Sequence, residues 1–284
     1  MRKETRSVVA ERNSVRSLER GLALLEAMNR HKLASVVELA RETRLPRPTI
    51  YRLLETLQRA GFVVRSGSND RFCVARRVRT LSDGFTEDEW ISAIAMPRMT
   101  AFTREFIWPL ALFTFDEGRM LVRETTHAAS SLSIDYGMVG RRMPMLRTAG
   151  GRAYLAFCPN NERRAILELL THSEQSDDRQ AHEWQRLAKL FNTIRTKGYA
   201  TQFREINPKT AGLAVPIRLP DRVLGCISLI WIASALTMEE AERRFVAPLT
   251  ALASEIATQV GGASAFNGSR VAATKAQAPG TTRE

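Results

Sequence analysis

The chain has 284 residues, 44% of them hydrophobic and 25% charged, which is enough apolar material for two packed domains and excludes a largely disordered polymer. No apolar run approaches the roughly 20 residues needed to cross a bilayer, and the polar first stretch has no secretory h-region, so the expected location is the cytoplasm with no membrane contact. The net charge of +12 is segregated: residues 1–82 hold 18 Lys and Arg against 8 Asp and Glu, and the rest hold 24 against 22. A cationic front end of this kind is the electrostatic footprint of a polyanion binder.

In chain order, residues 1–13 read as a flexible basic arm. Residues 14–28 predict a helix with Leu18, Leu22, Leu25 and Met28 as its buried stripe. Ser17 and Arg20 near its start suit either a phosphate contact or capping and solvation. Val36 to Thr43 predicts a short helix with Ser35 as N-cap. A second helix follows within a few residues, the spacing of a helix-turn-helix. In it Ile50, Leu53, Leu54 and Leu57 form an apolar stripe, while Arg47, Thr49, Tyr51, Arg52, Thr56 and Arg59 fill the remaining surface. Pro46 and Pro48 fall at its start, where the first N–H groups lack partners, and Gly61 closes it. Phe62–Arg65 and Arg71–Val74 flank Ser66-Gly67-Ser68-Asn69-Asp70 as two strands of a hairpin. Helix, turn, helix and hairpin together predict a winged helix-turn-helix over residues 14–75.

Residues 76–106 predict a mostly helical linker, interrupted at Asp83-Gly84 and Pro97. Its greasy face of Trp90, Ile91, Ile94, Ala95, Met99 and Phe102 suits either a dimer contact or packing on its own second domain. From 107 to 260 the pattern mixes strands and helices. Strands are expected at 109–115, 119–126, 132–136, 199–203, 213–218 and 223–231. Helices are expected at 148–157, 162–170, 182–196 and 238–260, the last capped by Thr237 with Glu239 and Glu240 in its first turn. Gln175 to Arg179 reads as a polar loop. The class is α+β with an antiparallel sheet. Residues 261–284, poor in large apolar side chains, read as a disordered tail.

Several stretches carry a resemblance. Ser17-Leu18-Glu19-Arg20-Gly21-Leu22, Leu39-Ala40, Thr49 to Leu57 and Gly61-Phe62-Val63 resemble the DNA-binding domain of the isocitrate-lyase-regulator (IclR) family of bacterial transcription regulators. Gly140 to Ala156, Ala214 to Ile217 and Gly225 to Leu229 resemble the family's ligand-pocket elements and closing strand pair. Val122 to His127, Val139 to Pro144, Leu155 to Pro159 and Ala233 to Thr237 are most similar to the branch that activates 3-(3-hydroxyphenyl)propionate catabolism. The resemblance implies a winged helix, a linker helix that pairs protomers, and a GAF-like effector domain. It also implies a homodimer or tetramer on a roughly palindromic double-stranded operator, with RNA polymerase as a partner if the protein activates. The pocket is expected between the sheet and the helix starting at Thr148-Ala149-Gly150. Arg147 stands where many relatives have His.

The second helix of a helix-turn-helix enters the major groove N-terminal end first, which makes Arg47, Thr49, Tyr51 and Arg52 candidates for base and nearby phosphate contacts. Arg65 and Arg71 on the wing suit backbone or minor groove, and Arg20 suits a phosphate. The effector expected from the resemblance is a small aromatic acid. Arg142 or Arg147 would pair with its carboxylate. Met143, Met145, Ala149 and Cys226 would form the apolar wall, with Gly150 at the helix start and Ser228 or Thr148 as hydrogen-bonding handle.

The enzyme alternative finds no support in motifs. No Gly-x-Ser-x-Gly elbow, dinucleotide-binding loop or phosphate-binding Lys motif is present, and His31, His127, His172 and His182 form no helix-spaced metal pair. The three distant cysteines, Cys73, Cys158 and Cys226, read as reduced buried thiols rather than a zinc site. The expectation is a ligand-responsive DNA-binding regulator without cofactor, metal or catalytic residues, most simply an activator of an aromatic-acid operon. The alternatives are an IclR-type repressor responding to another small carboxylic acid, and an RNA-binding winged helix.

Overall fold

A computed structural model of the protein describes residues 15–66, 70–82, 84 and 88–276, with side chains through residue 262. The expected basic arm, Ser14, residues 67–69 of the expected hairpin loop, Asp83 and residues 85–87 of the expected linker, and residues 277–284 lie outside the described residues. The chain divides into two compact units, Met1–Thr86 with Asp135–Gly137, and Glu87–Ile134 with Met138–Glu284.

In the first unit, α1 (Arg16–Asn29), α2 (Val36–Thr43) and α3 (Arg47–Arg59) precede a small antiparallel sheet. The strands β2 (Val63–Ser66) and β3 (Arg71–Val74) form the wing, and the two-residue β1 (Ala34–Ser35) pairs with the far side of β3. Ser35 caps α2 through a reciprocal pair of bonds: its hydroxyl accepts from the Glu38 N–H at 3.3 Å, and the Glu38 carboxylate accepts from the Ser35 N–H at 2.8 Å. Glu42 at the end of α2 accepts from Arg30 and His31, which ties it to the end of α1. Gly61, just past α3, has φ of +77°, a left-handed conformation that closes the helix. Leu24, Ala27, Met28, Leu39, Ile50, Leu54, Val63 and Phe72 make one core.

One expectation for α1 fails. Met28 is buried and Leu25 half-buried as expected, but Leu18 is 60% exposed and Leu22 50% exposed, and Leu24 and Ala27 are buried in their place. A leucine-rich helix offers two apolar stripes at helical spacing, and packing against its neighbours decides between them. Periodicity alone cannot.

The second unit is a six-stranded antiparallel sheet in the order β6-β5-β4-β9-β8-β7, built from β4 (Leu110–Asp116), β5 (Arg119–Thr125), β6 (Arg142–Pro144), β7 (Ala200–Phe203), β8 (Thr210–Arg218) and β9 (Val223–Ile232). Alternation along the central strands sends Leu110 and Leu112 to one face and Ala111 and Phe113 to the other. The Phe113 face is covered by a core that includes α5 (Ala149–Phe157), α6 (Asn160–Thr171) and α7 (Trp184–Lys197). The Leu112 face is covered by α4 (Met96–Phe106) and α8 (Met238–Ala276). A mixed α+β class with an antiparallel sheet is what the sequence predicts.

The linker region departs from expectation. Arg76–Leu81 is 3₁₀-helical, and Trp90–Ala95 is a π-helical stretch that runs directly into α4. Pro97 therefore does not interrupt the helix; the change of helical pitch falls beside it, where one N–H is missing in any case. The greasy face has one occupant: Ile91, Ala95, Met99 and Phe102 are buried in the second unit's own core.

Leu132–Tyr136 is loop rather than strand. The place beside β5 belongs to Arg142–Pro144, which pairs with Arg119–Leu121. The Gln175–Arg179 loop is 3₁₀-helical from Ser176, within the segment Ser176–His182. The last helix continues to Ala276, beyond the expected start of a tail at 261, and no proline follows Pro248 until Pro279. Thr237 and Glu240 form a second reciprocal cap at its start, at 3.0 and 3.2 Å.

Candidate functional site

Two regions carry the chemistry, one in each unit. In the first, α3 begins at Arg47 with Pro46 as N-cap and Pro48 in the first turn, so its N-terminal end is set by two residues that need no N–H partner. Arg47, Tyr51 and Arg52 are exposed on it, Thr49 is half-buried, and Arg65 and Arg71 are exposed on the wing. Arg20, Thr49 and Arg52 line one groove of about 650 Å³ whose floor includes Leu22, Leu53 and Leu57. The first unit thus brings five of the seven predicted DNA-binding residues into two sets, Arg20 with Thr49 and Arg52, and Tyr51 with Arg65, while Arg47 and Arg71 join neither. Tyr51 and Arg65 share a partner that sequence reading missed. The Asp70 carboxylate accepts the Tyr51 phenol at 2.9 Å and pairs with the Arg65 guanidinium at 2.8 Å. That hydrogen bond raises the Tyr51 phenol above its usual range, so the phenol keeps its proton.

In the second unit, the start of α5 presses onto the sheet. Thr148 is the N-cap: its hydroxyl accepts from the Gly151 N–H at 3.0 Å and donates to the Pro144 carbonyl at 2.9 Å. Small residues are required here. A Cβ on Gly151 would lie 2.2 Å from the Met145 carbonyl oxygen. One on Gly150 would lie 3.3 Å from the Phe113 ring and 3.4 Å from the Ser228 hydroxyl. Met143, Met145, Ala149 and Cys226 are buried in the same core, and Ser228 and Thr148 are buried polar residues.

The two arginines part company. Arg142 is half-exposed and pairs with Asp116 at 2.6 Å and Glu117 at 3.1 Å in the β4–β5 turn. Arg147 is part-buried and donates to Asp177 and to the Glu205 carbonyl. Sequence reading also missed Arg152 and Arg119. Arg152 spans the Leu146 carbonyl at 2.7 Å, the Thr201 carbonyl at 3.0 Å and the Glu205 carboxylate at 2.5 Å. Arg119 pairs at 2.6 Å with Asp178, whose side chain is fully buried. The acidic pair Asp177-Asp178 inside an otherwise ordinary polar loop was the available signal.

Burial pushes the Cys158 thiol up to about 12 and the Cys226 thiol higher still, so neither is a nucleophile near neutral pH. His127 is buried, with Nδ1 bonded to the Ser133 hydroxyl at 2.6 Å. Among the described residues no group of three His, Cys, Asp or Glu is placed to hold a metal, and no helix is long and apolar enough to cross a membrane.

Residues 17–67 match the IclR helix-turn-helix domain, and residues 86–258 match the C-terminal domain of bacterial transcriptional regulators of the IclR type. The chain belongs to the IclR family. IclR proteins are DNA-binding transcriptional regulators rather than enzymes, and this chain's winged helix is the family's DNA-binding element. The HTH-type transcriptional regulator KdgR of Escherichia coli is 25% identical over 255 residues, which covers 88% of this chain and 94% of that protein. The IclR structure from Thermotoga maritima superposes with a TM-score of 0.59 at 19% identity, covering 87% of this chain and 100% of that one. An IclR homolog from Microbacterium hydrocarbonoxydans, solved with 4-hydroxybenzoate, superposes with a TM-score of 0.54 at 19% identity, over 87% of this chain and 99% of that one. Both structures carry the IclR fold across the two units.

Proposed function

We propose that this IclR-family regulator binds its operator as a homodimer or tetramer in the cytoplasm, senses a small aromatic carboxylic acid of the hydroxyphenylpropionate type, and activates an aromatic-acid catabolic operon through RNA polymerase. The observation that carries the ligand class is the neighbourhood of the α5 start. Gly150 lies against both the Phe113 ring and the Ser228 hydroxyl, the Thr148 cap stands two residues before it, and Arg147 immediately precedes the cap. An aromatic surface, a hydroxyl and a guanidinium are the complements of a phenolic acid's ring, hydroxyl and carboxylate. The Microbacterium homolog's 4-hydroxybenzoate belongs to the same chemical class. Of the two candidate arginines, Arg147 fits better, because it is part-buried and immediately precedes the Thr148 cap, whereas Arg142 is half-exposed at the β4–β5 turn; a ligand carboxylate would take the place of Asp177 on Arg147.

Thermal unfolding with 3-(3-hydroxyphenyl)propionate, with propionate as control, tests the ligand. The aromatic acid is expected to raise the melting temperature, since a ligand of the native state stabilises it by mass action. Arg147→Ala is expected to remove the shift and Arg142→Ala to leave it. An equal shift with propionate, or none with either acid, would reject the aromatic class. Transcription in vitro from a bound promoter gives the sign: a rise on adding the acid supports activation, and basal repression relieved by the acid would establish the repressor reading.

A further inference from the structure

We infer that Tyr51 is a specificity residue that accepts a hydrogen bond from an amino-bearing base, adenine or cytosine, and that Asp70 is the positioning residue that makes it do so. The inference rests on the first unit's reading of duplex DNA and adds what one of its residues reads.

Tyr51 lies one turn into α3, four residues after Arg47, and is 48% exposed. A phenol has one proton to donate and two lone pairs with which to accept. Here the proton is already committed, to the Asp70 carboxylate at 2.9 Å. The second carboxylate oxygen is held by Arg65 at 2.8 Å, so Asp70 is braced between α3 and β2. Asp70 has φ of +49°, a left-handed conformation that Asp tolerates better than most residues, and it directly precedes Arg71, the first residue of β3. The carboxylate raises the phenol above its usual range, so the proton stays between them.

A hydroxyl whose proton is used this way has only acceptor capacity left. Phosphate oxygens are acceptors, as are guanine N7 and O6 and thymine O4, and none can pair with it. In the major groove only adenine N6 and cytosine N4 present donors. Exposed to water, the Tyr51–Asp70 bond is weak; pressed against a base edge it is desolvated and strengthened.

The test is selection of duplexes from a random pool by the full-length protein, followed by anisotropy titration at fixed salt. In the titration each selected adenine is replaced by purine, or each cytosine by 2-pyrimidinone, which removes only the amino group. One position per half-site is expected to lose about tenfold in affinity, within the range of a single base contact. Tyr51→Phe is expected to abolish that penalty. Asp70→Gly suits the backbone and removes the carboxylate. It should free the phenol proton, admit guanine or thymine at the same position, and raise affinity for unselected DNA. In a Tyr51→Phe background, Asp70→Gly should change base preference no further, the non-additivity of residues acting as a unit. Selection that succeeds without any Tyr51-dependent amino position, or an Asp70→Gly variant with unaltered preference, would overturn the inference alone. Failure of the wild-type chain to enrich any duplex would overturn it together with the DNA-binding reading.

Discussion

Arg52 shows what a single residue can be asked to do. It is exposed on α3, directly after Tyr51 in sequence, and lines the same groove as Arg20 and Thr49. A guanidinium here can fork onto a guanine edge or a phosphate, and a base contact of that kind contributes roughly 1–3 kcal/mol of discrimination. Arg52→Ala is expected to lower operator affinity at least tenfold in a gel-shift titration, with the melting temperature and the response to the aromatic acid unchanged. Unaltered operator affinity would remove Arg52 from the interface. Arg142 is the contrasting case. The sequence offers it as an equal of Arg147 for the ligand; both are paired with carboxylates, and place separates them, Arg142 half-exposed at the β4–β5 turn and Arg147 part-buried beside the α5 cap.

At the scale of the element, the caps of α2 and α8 were half legible. Ser35 and Thr237 stand out as N-caps, but the reciprocal partners Glu38 and Glu240 complete the motif three residues later in both cases. The bonds from Ser35 lower the Glu38 carboxyl below its ordinary value. A depressed carboxylate stabilises the fold fully above its unfolded value and loses that contribution as pH falls through the folded one. Ser35→Ala is therefore expected to cost about 1 kcal/mol near neutral pH. Urea titrations should show the gap to wild type narrowing as pH drops below the ordinary carboxylate range; a gap independent of pH would assign the cost to the hydroxyl alone. The α1 helix marks the opposite limit. Its leucines occupy several faces, so the sequence favoured a stripe through Leu18 and Leu22, and only contact with α2 and α3 selects Leu24 instead.

For the molecule as a whole, the charge segregation makes a prediction that no single contact makes. Binding that neutralises phosphates releases counterions, so affinity falls steeply with salt, with a log–log slope of about −0.9 per phosphate contacted. With five exposed candidate arginines in the first unit, Arg20, Arg47, Arg52, Arg65 and Arg71, operator affinity should drop by orders of magnitude from low to moderate salt. A salt-insensitive complex would contradict an interface built on these cations.

The sequence by itself determined the winged helix, the antiparallel α+β unit and the family, because these rest on local signals: helical and strand periods, caps, turn residues and a block of positive charge. Tertiary structure decided everything that depends on a distant partner. The linker's apolar face went to its own sheet, and β6 rather than residues 132–136 took the edge beside β5. Arg142 and Arg147 were divided between a turn and the α5 start, and Asp70 became the acceptor for Tyr51, 19 residues away. A period describes a residue's own neighbours along the chain, whereas burial, ion pairing and hydrogen-bond polarity are set by what the fold brings beside it.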